Sequence, residues 1–242
     1  MARLTFLGTG EYLASERYWN GFVVDGHILV ETSPTVLPHL RRCGLDAANL
    51  DLILLSHFHA DHTFGWPFLL LELIRSHGPD PLFVVGPPGV EGRLSEMMEV
   101  GAVPELWEAA KDRLDIRWVE ADGQWEKAGS LRYRAVEVDH VPYLRCYGYQ
   151  LDLGGPSGIV GYSGDVRPCQ GLDTLAATCD TLVLECNGPH PPPRTHMDAP
   201  DVADLRARHP AVRLILTHLG PGIDVSQIEN CAKAEDFQVI DV

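Results

Sequence analysis

The chain has no apolar run long enough to cross a bilayer. Its longest purely apolar stretch, Trp66 to Leu71, falls far short of the roughly 20 residues a spanning helix needs. The opening residues, Met1 to Gly8, hold no apolar region of signal-peptide length. A soluble cytoplasmic protein with no membrane partner is therefore the expectation. Cysteine pairs of the C-x-x-C kind are also missing. Cys43, Cys146, Cys169, Cys179, Cys186 and Cys231 are scattered, which speaks against a cysteine zinc knuckle and for buried free thiols in a reducing compartment. No composition shift, Pro/Ser-rich tether or low-complexity tract divides the 242 residues. The densest proline run, Pro189 to Pro193, lies between apolar runs and reads as a loop. One domain over residues 1–242 is expected, and a hydrophobic content of 45% suffices for a sizeable core.

Positive charge is scarce. Nineteen lysines and arginines against 34 acidic residues give a net charge of −15. Such a surface repels phosphate backbones and argues against general nucleic-acid affinity. The segment Pro79 to Ser130 holds no basic cluster.

What the chain does have is Ser56-His57-Phe58-His59-Ala60-Asp61-His62, directly after the apolar run Leu50 to Leu55. The run reads as a buried strand, and the histidines and aspartate as the loop at its end. Neutral imidazoles and carboxylate oxygens are ligands of zinc and similar divalent metals. Four candidate donors within six residues exceed what one tetrahedral ion takes from so short a segment. The spacing suggests two metals sharing the loop, with further ligands from elsewhere. Three residues stand just beyond the ends of expected strands: His140 after Leu131–Val138, Asp165 after Gly158–Tyr162, and His218 after Arg213–Leu216.

Around these, the pattern gives a first strand at Leu4–Leu7 and a hairpin of Gly21–Val24 and Ile28–Glu31 turned by Asp25-Gly26. Further strands are expected at Leu82–Val85, Asp115–Glu120, Cys146–Leu153, Thr181–Glu185 and Phe237–Val242. Helices are expected at Thr35–Arg42, Thr63–His77, Glu91–Val100, Pro104–Asp112, Asp201–His209 with Asp198 as its cap, and Val225–Ala234. Strands with helices spaced between them, but no running βαβ repeat, suggest an α/β fold of two mixed sheets packed face to face with helices outside.

The motif H-x-H-x-D-H at His57–His62 resembles the signature of the metallo-β-lactamase-fold hydrolases. Leu4-Thr5-Phe6-Leu7-Gly8-Thr9-Gly10 is similar to the first strand and glycine turn of the ribonuclease Z-like branch. His140, Asp165 and His218 resemble the later motifs, in order. The resemblance implies a four-layer αββα sandwich with metals at the edge where the sheets meet. It implies that His57, His59 and His140 bind one ion, that Asp61, His62 and His218 bind a second, and that Asp165 bridges them. Zinc is the first expectation, with manganese and iron as alternatives. A metal-bound hydroxide would then be the nucleophile.

In the same branch a histidine placed like His196, ahead of the helix capped by Asp198, serves as general acid. Glu185 resembles the family's acidic residue after its strand and would orient His196 or a metal ligand. The candidate catalytic residues are thus Asp61, His196 and Glu185. His27, His39, His77, His190 and His209 read as surface or helix-end residues. Trp19, Trp66 and Tyr143 flank the motifs, either as cleft walls or as core aromatics.

Two departures stand out. The family's Asp-x-Gly-Glu-Gly-like segment is replaced by Glu31-Thr32-Ser33-Pro34-Thr35, and the glycine- and basic-rich arm that grips tRNA is absent. A small phosphodiester or ester is therefore the expected substrate, with tRNA not favoured. The alternatives are a lactone, thioester or other carboxyl-ester hydrolase, and a metal-binding module without turnover. A homodimer is the assembly that the resemblance allows.

Overall fold

Most strands here are apolar on both faces, and the structure shows why. The computed structural model describes residues 1–13, 15–76, 78, 81–101, 103–188 and 194–242. The first half of the chain supplies β1 (Arg3–Gly8), β2 (Gly21–Val24), β3 (Ile28–Val30), β4 (Leu52–Leu54), β5 (Leu82–Gly86) and β6 (Ile116–Glu120). The second half supplies β7 (Trp125–Ala128), β8 (Leu131–Val138), β9 (Cys146–Gly154), β10 (Gly158–Tyr162), β11 (Thr181–Cys186), β12 (Arg213–Leu219) and β13 (Cys231–Lys233). A final strand, β14 (Val239–Asp241), returns to the first sheet and pairs antiparallel with β1. Two seven-stranded mixed sheets result, ordered β14-β1-β2-β3-β4-β5-β6 and β13-β12-β11-β10-β9-β8-β7.

Three apolar layers hold these sheets, and alternate residues of single strands feed different layers. Phe22 and Val24 of β2, Leu52 and Leu54 of β4, Val183 of β11 and Ile215 of β12 meet in the core between the sheets. Val23 and Ile53 point the other way, onto α1 (Val36–Arg42), α3 (Trp66–Ser76), α4 (Val90–Val100) and α5 (Pro104–Arg113). Between α1 and α3 lies the one-turn helix α2 (Ala60–Thr63). Leu182, Leu184, Leu214 and Leu216 face α6 (Gln170–Thr178) and α7 (Ala199–Arg208). The molecule is thus the expected four-layer αββα sandwich. Among the described residues no helix is long and apolar enough to cross a membrane.

Several elements differ from expectation. The helix expected at Val225–Ala234 is a chain of turns followed by β13, which pairs parallel with β12. Val225, Ile228 and Cys231 recur every third residue against the outer core, which mimics helical periodicity. However, Asp224 accepts a hydrogen bond from the Ser226 amide at 2.9 Å, and Asn230 has φ +52°, so the backbone turns instead. The helix expected at Thr63–His77 is split into α2 and α3 by Gly65, where a Cβ would lie 2.0 Å from the Ser33 carbonyl oxygen. Neither helix α6 nor the half-exposed edge strand β7 is among the expected elements; α6 buries Leu172, Leu175 and Ala176 at helical spacing but has no side-chain N-cap bond to mark its start. His39 does end a helix, but it is buried between the rings of Tyr18 and Phe237 rather than at the surface. His77, His190 and the proline run Pro189–Pro193 lie outside the described residues.

Candidate metal centre

The site forms where the C-terminal ends of strands from both sheets converge, a usual position for ligand sites in open α/β sheets. From the first sheet, the chain leaving β4 carries His57 and His59 in an irregular turn. Asp61 and His62 then fall on α2 rather than in the expected loop. From the second sheet, His140 follows β8 and Asp165 follows β10. Asp165 comes after Gly164, whose φ is +59° and whose Cβ would sit 2.8 Å from Ser56 Cβ, so a bulkier residue there would push the two sheets apart. His218 lies inside β12, which runs three residues beyond the expected end at Leu216, to Leu219. Glu185 pairs with Thr217 and Cys186 with Leu219, so His218 is the extra residue of a bulge, with φ +48°. Bulges re-aim side chains, and non-glycine residues in the left-handed region mark functional strain.

All seven predicted ligands meet. One group comprises His57, His59, His140 and Asp165, another Asp61, His62 and His218, with the donor atoms of each within 4.8 Å of one another. His57 Nε2 is 3.0 Å, and His140 Nε2 3.3 Å, from His59 Nδ1. Asp165 Oδ2 is 3.8 Å from both His57 Nε2 and His140 Nε2, and 3.5 Å from His218 Nε2. Its Oδ1 is 3.3 Å from His62 Nε2. Asp61 Oδ2 is 3.3 Å from His62 Nε2 and 3.4 Å from His218 Nε2. Asp165 therefore touches both groups.

The far ring nitrogens are held as metal-ligating histidines usually are. His140 Nδ1–H donates to the Thr195 carbonyl at 2.8 Å, which turns the lone pair of Nε2 toward the cluster. His57 Nδ1 is 2.9 Å from Ser56 Oγ, and His59 Nε2 is 3.3 Å from the Tyr143 hydroxyl. Tyr143 thus walls the site, whereas Trp66 is core. Trp19 is partly exposed and donates its indole N–H to the Tyr12 carbonyl.

Electrostatics favour a cation. Burial holds His57, His59 and His140 below the usual histidine pKa, so they are neutral and ready to ligate. Burial also opposes charge on His62, but Asp165, Asp61 and Glu31 outweigh it and push its pKa well above the usual value. His218 is raised in the same way, against burial, chiefly by Asp165. Burial works against ionisation of Asp61 and Asp165. Nevertheless His62 for Asp61, and His218 and His62 for Asp165, hold both carboxyls well below the usual range. Buried polar atoms normally find partners. Here both ring nitrogens of His62 and Asp165 Oδ1 are buried without a hydrogen bond among the described residues. Five imidazoles and two carboxylates with such orphaned atoms fit divalent metal binding.

His196 sits against this cluster. Its Nδ1 is 2.8 Å from Glu185 Oε1 and 4.0 Å from Asp165 Oδ2, and its ring stacks on His218 at 5.6 Å. Glu185 is fully buried within β11 and also accepts the Val166 and Asn187 amides at 2.7 and 3.2 Å. Burial lowers the His196 pKa, but Glu185 and then Asp165 more than offset this and raise it to about 9.

Glu31 is the residue that sequence reasoning passed over. It is fully buried with φ +66° and lies 3.4 Å from His62 Nδ1. It accepts from the Tyr162 hydroxyl at 3.0 Å and the Ser56 amide at 3.2 Å. Asn20 and Thr217 continue this network behind the cluster. An acidic residue closing an otherwise apolar hairpin strand was the available signal.

A family model described as "Beta-lactamase superfamily domain" matches residues 27–219. The ribonuclease Z of Mycobacterium avium (strain 104) is 27% identical over 262 residues, covering 95% of this chain and 90% of that protein. The metallo-beta-lactamase fold protein YhfI of Bacillus subtilis superposes with a TM-score of 0.79 at 18% identity, over 99% of this chain and 98% of the other. The short form of human tRNase Z superposes with a TM-score of 0.77 at 21% identity, again over 99% and 98%. With its His/Asp cluster built on that fold, the chain belongs to the beta-lactamase superfamily and is a metal-dependent hydrolase resembling the ribonuclease Z proteins.

Proposed function

We propose that the chain hydrolyses phosphodiesters using two divalent cations. His57, His59 and His140 would hold one, Asp61, His62 and His218 the other, and Asp165 would serve both. Zinc suits this donor set best, with manganese and iron as alternatives. When bound, such a pair of cations lowers the pKa of a coordinated water and takes up negative charge on the substrate's oxygens.

The remaining work falls to the chain's own side chains. The observation that carries the reading is the His196–Glu185 pair at the cluster's edge. A buried carboxylate 2.8 Å from Nδ1 raises the His196 pKa and places the ring to hold a proton for the leaving oxygen. The alkoxide leaving group of a phosphodiester requires such a proton. Glu185 orients the ring, and through the Val166 amide it ties His196 to the Asp165 turn.

Small diesters are the favoured substrates. Arg75, Arg93, Arg117, Arg132, Arg145, Arg167, Arg194 and Arg208 are already engaged by carboxylates. That leaves little free positive surface for a polynucleotide backbone. Precursor tRNA is the second reading, favoured by the relatives named ribonuclease Z, and those relatives lend no support to setting tRNA aside. The test is a screen of metal-loaded protein on small phosphodiesters, lactones, thioesters and a precursor tRNA with a 3′ trailer. Cleavage of diesters ahead of carboxyl esters is expected. Turnover of lactones or thioesters alone would refute the phosphodiester reading, and efficient single-site cutting of the precursor would establish the second.

A further inference from the structure

Beside the cluster the surface is apolar to a degree the fold does not require. Helix α3 already buries Trp66, Leu69, Leu70 and Leu73 in the core. Yet Phe64, Phe68 and Leu71, spaced four and three residues apart on another face of the same segment, point out and are 55%, 62% and 45% exposed. Val100 at the end of α4 and Tyr143 join them. These five surround one concavity of about 760 Å³, floored by Met97, Val103 and Leu106. The other large exposed apolar side chains of the described residues, such as Met1, Tyr12 and Val239, do not line it. Its size falls in the range of roughly 300–1,000 Å³ typical of small-ligand pockets. Apolar patches of this kind are rarely left exposed without a use.

The concavity and the metal cluster share a wall. His59 presents Nδ1 to the cluster while its ring, with Tyr143, lines the concavity. A group seated there is one imidazole away from the reacting bond. The polar side chains on the wall are mostly spent on each other. Arg93 Nη1 lies 3.1 Å from Glu96 Oε2, and Tyr143 lies 3.3 Å from His59. A nucleobase would bring N–H and C=O edges to a surface offering them few partners, whereas an aryl or alkyl group brings none.

We propose that this concavity is a substrate subsite that takes an uncharged apolar substituent, alkyl or aryl, of an ester cleaved at the cluster. The proposal rests on reading the cluster as a hydrolytic centre. It selects a substrate class, amphiphilic diesters with a compact anionic head and an apolar arm, over polar nucleotides.

The test uses the full metal-loaded chain and two homologous series: methyl, butyl and octyl 4-nitrophenyl phosphodiesters, and 4-nitrophenyl acetate, butyrate and octanoate. KM is expected to fall by about fourfold per added methylene until the concavity is filled, with kcat little changed. Phe68→Ser and Leu71→Gln, exposed positions outside the cluster, should flatten that slope and leave turnover of the methyl diester intact. Calorimetry with methylphosphonate and octylphosphonate reads binding without turnover, and octylphosphonate should bind more tightly in the native protein only. Hydrolysis of the carboxylates alone, with the slope present, would refute the phosphodiester reading and uphold the subsite. Hydrolysis of diesters with a flat slope and equal phosphonate affinities would overturn the subsite and leave that reading intact. If neither series is cleaved, the phosphonate affinities decide. If both substitutions convert a dimer to a monomer in sedimentation and leave the slope unchanged, the face is a contact between copies and the subsite is overturned.

Discussion

Replacing Glu185 with glutamine tests the His196 assignment most directly. The carboxylate receives three N–H groups: His196 Nδ1–H, the Val166 amide and the Asn187 amide. Glutamine keeps the shape but offers one accepting oxygen, and its amide NH2 then faces at least one N–H. Leaving a buried donor unmatched costs roughly 1–3 kcal/mol of stability. The larger effect is on the proton. His196 is raised to about 9, from an ordinary value of about 6.5, which corresponds to about 3 kcal/mol in favour of the folded imidazolium. Without Glu185, burial dominates and the pKa should fall to the ordinary value or below. Because the folded pKa is the raised one, this stabilisation is complete below about pH 6.5 and fades as pH climbs through about 9. Imidazole NMR titration of metal-free protein, with His196→Ala to assign the resonance, reads the pKa. Denaturant melts of the same protein at pH 6 and pH 9.5 should show wild type losing its advantage over Glu185→Gln. In the metal-loaded enzyme, diesters with alkoxide leaving groups should slow by ~100- to 10,000-fold, and nitrophenyl diesters far less. A His196 resonance still titrating near 9 in Glu185→Gln would refute the reasoning.

Metal binding should expel protons, because the carboxylates that a cation would neutralise raise the pKa of His62 and His218; calorimetry of zinc binding in buffers of different ionisation enthalpy counts them, and zero release would contradict this electrostatic picture. Asp165→Ala should lower occupancy at both positions, read by elemental analysis against the two ions per chain proposed for the wild type; loss of only one ion would show that Asp165 is not shared. Glu31→Gln removes the carboxylate behind His62 and should weaken metal affinity by ~10- to 100-fold while the fold persists, measured by competition with a chromophoric chelator. Burial pushes Cys146, Cys179 and Cys186 up to about 12 and Cys231 up to about 11, so at pH 8 these four should react with a thiol reagent far more slowly in the native protein than after denaturation, when all six react.

The ligand cluster was legible because its chemistry is local. Three histidines and an aspartate within six residues carry their meaning without a fold, whereas His140, Asp165 and His218, each after an expected strand, were legible through their match, in order, to the family's later motifs. The αββα layering was legible through the family resemblance more than through periodicity. Strands such as β2, β4 and β11 are apolar on both faces, so alternation does not reveal which residues meet which layer. Glu31 was not legible because its role depends on meeting Tyr162, more than a hundred residues away. The bulge at His218 depends on register with β11, which no single segment encodes. The turns at 225–230 were misread because three apolar residues at helical spacing face the same core that a helix would.

The pairing of β14 with β1 has a consequence for how the molecule is made. Ala2 and Val242 exchange backbone hydrogen bonds at 3.0 and 2.9 Å, and Arg3 stands opposite Asp241. On a ribosome, β1 emerges more than two hundred residues before its outer partner. Through that interval the hairpin of β1 and β2 presents an unpaired strand edge, the kind of surface that recruits stray strands from other chains. The first sheet is thus finished only after synthesis has passed through the whole second sheet, and the step that seals it joins strands far apart in sequence. Such long-range closure is slow. Nascent chains stalled before Val239 should therefore be the ones that chaperones hold and that aggregate when chaperones are limiting.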